Sequence, residues 1–227
     1  MGHCESLTSS PERAARHVNE VSAVPQVAVE CKIYNQRESG MTIVASMLWR
    51  RLDSPGHDAC SLERHSAGWN LQGVATFRHR SGPARIIYSV QCDREWQTVS
   101  GQVRGVLGKH SIDFVVTRHR TAWMLNGSVV PNLGHLIDLD FNFTPATNLQ
   151  QLRRVSMGIN ESVLLPVAWF NVDVGTLTEL PQVYERRGDN VFSYSAPSVG
   201  YEGMLELSPN GFIRHYPNLW EAESELM

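Results

Sequence analysis

The chain has 227 residues, a mass of 25.5 kDa, 42% hydrophobic residues and a formal net charge of −3. That apolar content gives a folded globular protein and argues against disorder, at a size that suits one large β domain or two small ones. The mildly acidic balance gives no ground for a nucleic-acid partner, and the longest apolar run, near Ile43 to Trp49, is too short and interrupted to span a bilayer.

Residues 1–41 differ from the rest. They are polar, mixed in charge and broken by Pro11 and Pro25. They read as a mobile or loosely packed N-terminal extension, in which Arg13 to Val21 is a short helix candidate with Thr8, Ser9 or Ser10 as its cap. Glu5, Glu12 and Glu20 argue against a secretory leader, and against an organellar one built on Arg13 and Arg16. Cys4, Cys31, Cys60 and Cys92 form no CxxC pair and read as free thiols in a reducing compartment; no feature supports a Cys60–Cys92 bridge. The expectation is a cytoplasmic protein.

From Thr42 onward the pattern is that of β structure. Ile86, Tyr88, Val90 and Cys92 alternate with Arg85, Ile87, Ser89 and Gln91; Ile112, Phe114 and Val116 alternate with Asp113, Val115 and Thr117. Turn signals fall at Ser54-Pro55-Gly56, Ser81-Gly82-Pro83, Asn126-Gly127 and Ser208-Pro209-Asn210-Gly211. The Asn126-Gly127 pair predicts a two-residue hairpin turn with both residues at positive φ. No helical period outlasts a turn or two, so the fold class is all-β: a barrel, roll or sandwich of many short strands over 42–220, followed by a tail over 221–227.

The block from Asp138 to Arg154, DLDFNFTPATNLQQLRR, carries the most chemistry. On a strand, Asp138, Asp140 and Asn142 share one face, and Ile137, Leu139, Phe141 and Phe143 share the other. Buried carboxylates need partners, and Arg153 and Arg154 are the nearest cations in sequence. A strand continuing through Val155 and Met157 turns Arg153 inward and Arg154 outward. Between them, Thr144-Pro145 and Thr147-Asn148 predict a rigid bend whose side chains bond local backbone or line a polar pocket. Two acids so placed suit three roles: an internal ion-pair network, acid/base hydrolysis of a glycosidic or ester bond, or a hard-metal site completed by Asn142. The ion-pair network is the favoured one.

Elsewhere the chemistry is sparse. The chain holds no GxSxG elbow, P-loop, GxGxxG or zinc-ligand spacing, so no cofactor is implied. Arg78-His79-Arg80 and Arg118-His119-Arg120 fall near strand ends and read as solvated strand ends before an anion-binding rim. Trp69, Trp96, Trp123, Trp169 and Trp220 read as core or rim packing before sugar platforms.

Several motifs together resemble one family. They are Trp49-Arg50-Arg51-Leu52 with Ser61-Leu62-Glu63, Tyr88-Ser89-Val90 with Trp96-Gln97-Thr98, and Trp123 with Asn126-Gly127. To these add the Asp138–Arg154 block, Gln182-Val183-Tyr184, and Asn210-Gly211-Phe212 with Tyr216-Pro217. In this order, over residues 44–220, the chain resembles the glycolipid-binding family, first described as a domain of unknown function. The resemblance implies a spiral antiparallel β-roll, an incomplete barrel similar to bacterial lipoprotein-localisation factors, with an apolar concavity for an acyl chain. It implies a non-enzymatic carrier or sensor of a glycolipid or fatty-acyl ligand, with Asp138, Asp140, Thr144, Asn148, Arg153, Gln182 and Tyr184 keeping the family pattern at the ligand's polar end. Ala146, Gln151 and Val99 depart from it, in place of a ring, a proline and a basic residue.

Overall fold

The computed structural model describes residues 41–226. The extension expected over 1–41, apart from Met41, lies outside the described residues with its Arg13–Val21 helix, Cys4 and Cys31.

The first half is an antiparallel meander. Its strands are β1 (Thr42–Arg51), β2 (Gly56–His65), β3 (Gly68–His79), β4 (Gly82–Cys92), β5 (Thr98–Leu107), β6 (His110–His119), β7 (Ala122–Leu125) and β8 (Ser128–Val130). Six of these run 10 to 12 residues, longer than the turn spacing suggested. The alternation holds on β4, where Ala84, Ile86, Tyr88, Val90 and Cys92 are buried while Arg85 and Ile87 face out. Asn126 at φ 50° and Gly127 at φ 80° make the predicted hairpin turn between β7 and β8.

The second half completes the wall and fills it. β10 (Ser162–Leu164), β13 (Val183–Arg186), β14 (Val191–Ala196), β15 (Tyr201–Leu207), β16 (Ile213–Tyr216) and β17 (Trp220–Leu226) extend the same sheet. β17 pairs with β1, giving one open antiparallel sheet of 14 strands. The stretch expected as a tail after residue 220 is therefore a strand in the middle of the wall. Its sequence, WEAESEL, lacks apolar alternation because it is held by backbone pairing to β1 and β16 more than by side-chain burial.

A smaller sheet of β9 (Leu139–Phe141), β11 (Val167–Asn171) and β12 (Thr176–Leu180) lies against the inward faces of this wall, with β9 parallel to β11. Tyr88 meets Phe141 and Phe143 edge-on at 6.1 and 5.5 Å, and Phe114 meets Phe170 at 5.0 Å. Phe141, Phe143 and Phe170 are buried, and each contributes roughly 1.5–3 kcal/mol by that burial. Gly101 on β5 lets this layer approach: a Cβ there would strike Leu139 and Phe141. The concave face that the resemblance gave to an acyl chain is thus packed with the chain's own side chains. Trp49 and Trp123 are fully buried, and Trp69 stacks on Trp96 at 4.4 Å.

Candidate functional site

The Asp138–Arg154 block does not continue as a strand. β9 is three residues long and buried on both faces, and after the Thr144-Pro145 bend residues Asn148–Arg154 form a helix, α1. The segment NLQQLRR has no β-branched residue, its Leu, Gln and Arg favour helix, and Leu149 and Leu152 sit three apart. The period of 3.6 places Arg154 with Gln150 and Gln151 and turns Arg153 away. This reverses the strand-based orientation of the two arginines.

The polar residues on and beside β9 have three separate destinations. Asp138, fully buried, accepts two hydrogen bonds from Arg154, Nε at 3.1 Å and Nη2 at 2.6 Å. Burial raises its carboxyl pKa, against the pull of Arg154 and Arg118. Asp140 accepts from the Thr147 hydroxyl at 2.5 Å and the Gln182 amide at 3.1 Å, and burial pushes its pKa up to about 6. Asn142 donates to Asn171 at 3.2 Å and to Asp173 at 3.0 Å. The three therefore do not converge as metal ligands, and among the described residues no group of three or more His, Cys, Asp or Glu is placed to hold a metal ion.

The Asp140 network extends through α1. Gln151 donates to Gln182 and to the Tyr184 hydroxyl, both at 2.9 Å, and Asn148 donates to Tyr184 at 2.7 Å. Gln151, a departure from the family pattern, is thus a junction that a proline could not supply. Tyr184 is fully buried, and its hydroxyl pKa is raised well above the ordinary value by that burial.

Thr144 belongs to a second knot that sequence reasoning missed. Its hydroxyl donates to Asp58 at 2.5 Å, and Tyr88 donates to the same oxygen at 2.9 Å. The other oxygen of Asp58 makes no well-formed hydrogen bond. Complete burial pushes the Asp58 carboxyl up to about 7. The available signal was the alternation on β2, which puts Asp58 on the face of Cys60 and Leu62.

Clefts of about 370 to 670 Å3 open on the described surface. Asp138, Asp140, Thr144, Asn148, Gln182 and Tyr184 line none of them, and all six are buried. Arg153 alone of the expected seven reaches one. It lines a cleft of about 430 Å3 over the end of α1, with Arg154, Arg186, Met157, Phe192 and Leu207. Arg153 is held there by the Asn210 carbonyl, and Gly211 leaves room for its guanidinium. Arg186 is braced by the Met157 and Gly188 carbonyls at 2.9 and 3.0 Å.

The model of the family described as "Putative glycolipid-binding" matches residues 46–222. The chain belongs to this family. A solved structure of a DUF1089 family protein from Pseudomonas aeruginosa is similar to this glycolipid-binding family member with a TM-score of 0.64 at 16% identity, covering 72% of this chain and 91% of that one. That likeness is one of fold. No curated protein matches the chain. Among the described residues of this family member, no helix is long and apolar enough to cross a membrane.

Proposed function

We propose that the chain binds an amphiphile of the glycolipid class, as a carrier or sensor, with the polar head seated in the cleft over α1. One observation carries this reading: Arg153, Arg154 and Arg186 meet at a cleft of about 430 Å3 that also has an apolar wall of Met157, Phe192 and Leu207. That volume lies within the range of roughly 300–1,000 Å3 common to small-molecule sites. Guanidinium groups donate several hydrogen bonds in a fixed plane, which suits the hydroxyl and acidic oxygens of a sugar head.

In this reading Arg153 touches the head group. Asp138, Asp140, Thr144, Asn148, Gln182 and Tyr184 act from beneath, fixing the helix and its flanking strands. The family name supports the ligand class. We place the protein in the cytoplasm, where Cys60 and Cys92, both free and buried, suit a reducing compartment.

The test is NMR titration of the full chain with a short-chain glycoside such as octyl glucoside, together with native mass spectrometry of protein purified without detergent. We expect shifts centred on Leu152 to Met157, a bound lipid mass, and loss of both in Arg153→Ala. Shifts confined to other surfaces, or the same binding in Arg153→Ala, overturn the reading.

A further inference from the structure

A second cleft, of about 550 Å3, opens where Asn142 leaves β9. It shares no lining residue with the cleft over α1. It lies between the end of the β3–β4 hairpin and the β11–β12 turn, and its apolar floor is Phe77, Phe143 and Val172.

The charges on its rim do not balance. Asp53 accepts both N–H groups offered by Arg51, at 2.7 and 2.9 Å. Asp173 accepts from the His79 ring at 2.7 Å and from Asn142 at 3.0 Å. Both carboxylates are therefore occupied within the protein. Arg78 and Arg80 also line the cleft, and among the described residues neither forms an ion pair. The surplus is positive, in a chain whose formal net charge is −3.

The histidine is fixed and not reactive. Its Nδ1 accepts from the Ser81 amide at 3.2 Å while Nε2 donates to Asp173, so neither ring nitrogen is left to act on a bound molecule. The Arg51 guanidinium lies over the Phe77 ring at 4.7 Å and the Trp220 ring at 5.3 Å, which holds that wall in place. The cleft therefore combines two arginines, unpaired among the described residues, with an apolar floor and a histidine whose ring nitrogens are both engaged.

We propose that this cleft is a binding site for a phosphate monoester, whose anionic oxygens meet Arg78 and Arg80 and whose carbon portion rests against Val172 and Val174. Arginine pairs with phosphate through two parallel N–H bonds, about twice as strong as neutral ones. The ester stands either at the head of a lipid or on a free small molecule.

Calorimetry and NMR of the full chain separate these sources. The ligands are glycerol 3-phosphate, short-chain phosphatidic acid as monomer, and octyl glucoside as a charge-free control. We expect a phosphate ligand to shift the Arg80, Ser81 and Asp173 amides, to bind more weakly at high salt, and to lose at least roughly tenfold in affinity in the Arg78→Gln/Arg80→Gln double variant. Both positions are exposed, so that variant keeps the fold, which circular dichroism verifies. Equal binding of the two phosphates assigns a free ester, and binding of phosphatidic acid alone assigns a lipid head. Absent shifts, shifts at other surfaces, unchanged affinity in the double variant, or octyl glucoside moving the same amides as strongly each overturn the proposal.

Discussion

Arg154 reaches back from the last turn of α1 to grip Asp138 with two N–H groups, while Arg153, one residue earlier, points to the Asn210 carbonyl on the surface. Adjacent arginines thus have unequal duties. Removing one member of a buried ion pair leaves the other charge stranded, at a cost of roughly 3–5 kcal/mol. Arg154→Ala is therefore expected to lower urea-unfolding stability by about that amount, and Arg153→Ala by less than about 1 kcal/mol. A larger loss in Arg153→Ala than in Arg154→Ala would restore the strand-based orientation, and equal losses would contradict the unequal duties.

The pH dependence of stability follows from Asp58 and Asp140, whose carboxyls are raised from 3.8 to about 7 and about 6. A folded-state pKa above the unfolded one means that the folded chain holds the proton more tightly. The stability from each protonated carboxyl is full below about pH 4 and is lost as pH rises through the folded value. Other carboxylates oppose this trend, so the informative quantity is the difference between the parent chain and Asp58→Asn. Between pH 4 and 7 the parent is expected to lose stability relative to the variant, by up to about 1.4 kcal/mol per pH unit. Urea melts across that range measure it, and parallel curves contradict the assignment.

Gly101 tests whether the inner layer fills the roll. Adding one methyl group there drives it into Leu139 and Phe141. Overpacking of this kind costs typically 1–3 kcal/mol. Gly101→Ala should lower the unfolding midpoint accordingly. A neutral outcome would mean that space remains between β5 and β9.

Much of the wall was legible because strand alternation and turn chemistry are local. The inward face of β4 and the Asn126-Gly127 reversal follow from neighbouring residues alone. The family motifs added an open antiparallel roll, which the sheet order bears out. What was misread was also local in cause: Arg153, Val155 and Met157 are spaced by two and imitate a strand, yet Leu149 and Leu152 carry the helical spacing. The second partner of Asp140 was out of reach for another reason. Gln182 lies 42 residues away, and no rule of periodicity joins it to β9. Asp58 was masked by its setting beside a turn, although its parity with Cys60 and Leu62 pointed inward.

The pairing of β1 with β17 sets Ser46 opposite Leu226, so the two ends of the described chain become neighbours. A growing polypeptide leaving the ribosome forms the early hairpins long before that seam can shut. Until β17 emerges, one edge of β1 has bare amide and carbonyl groups, beside a Trp49 indole whose acceptor, the Ile213 carbonyl, arrives only with β16. Biogenesis of this protein therefore has a vulnerable interval fixed by its topology, during which intermolecular strand addition competes with completion of the wall.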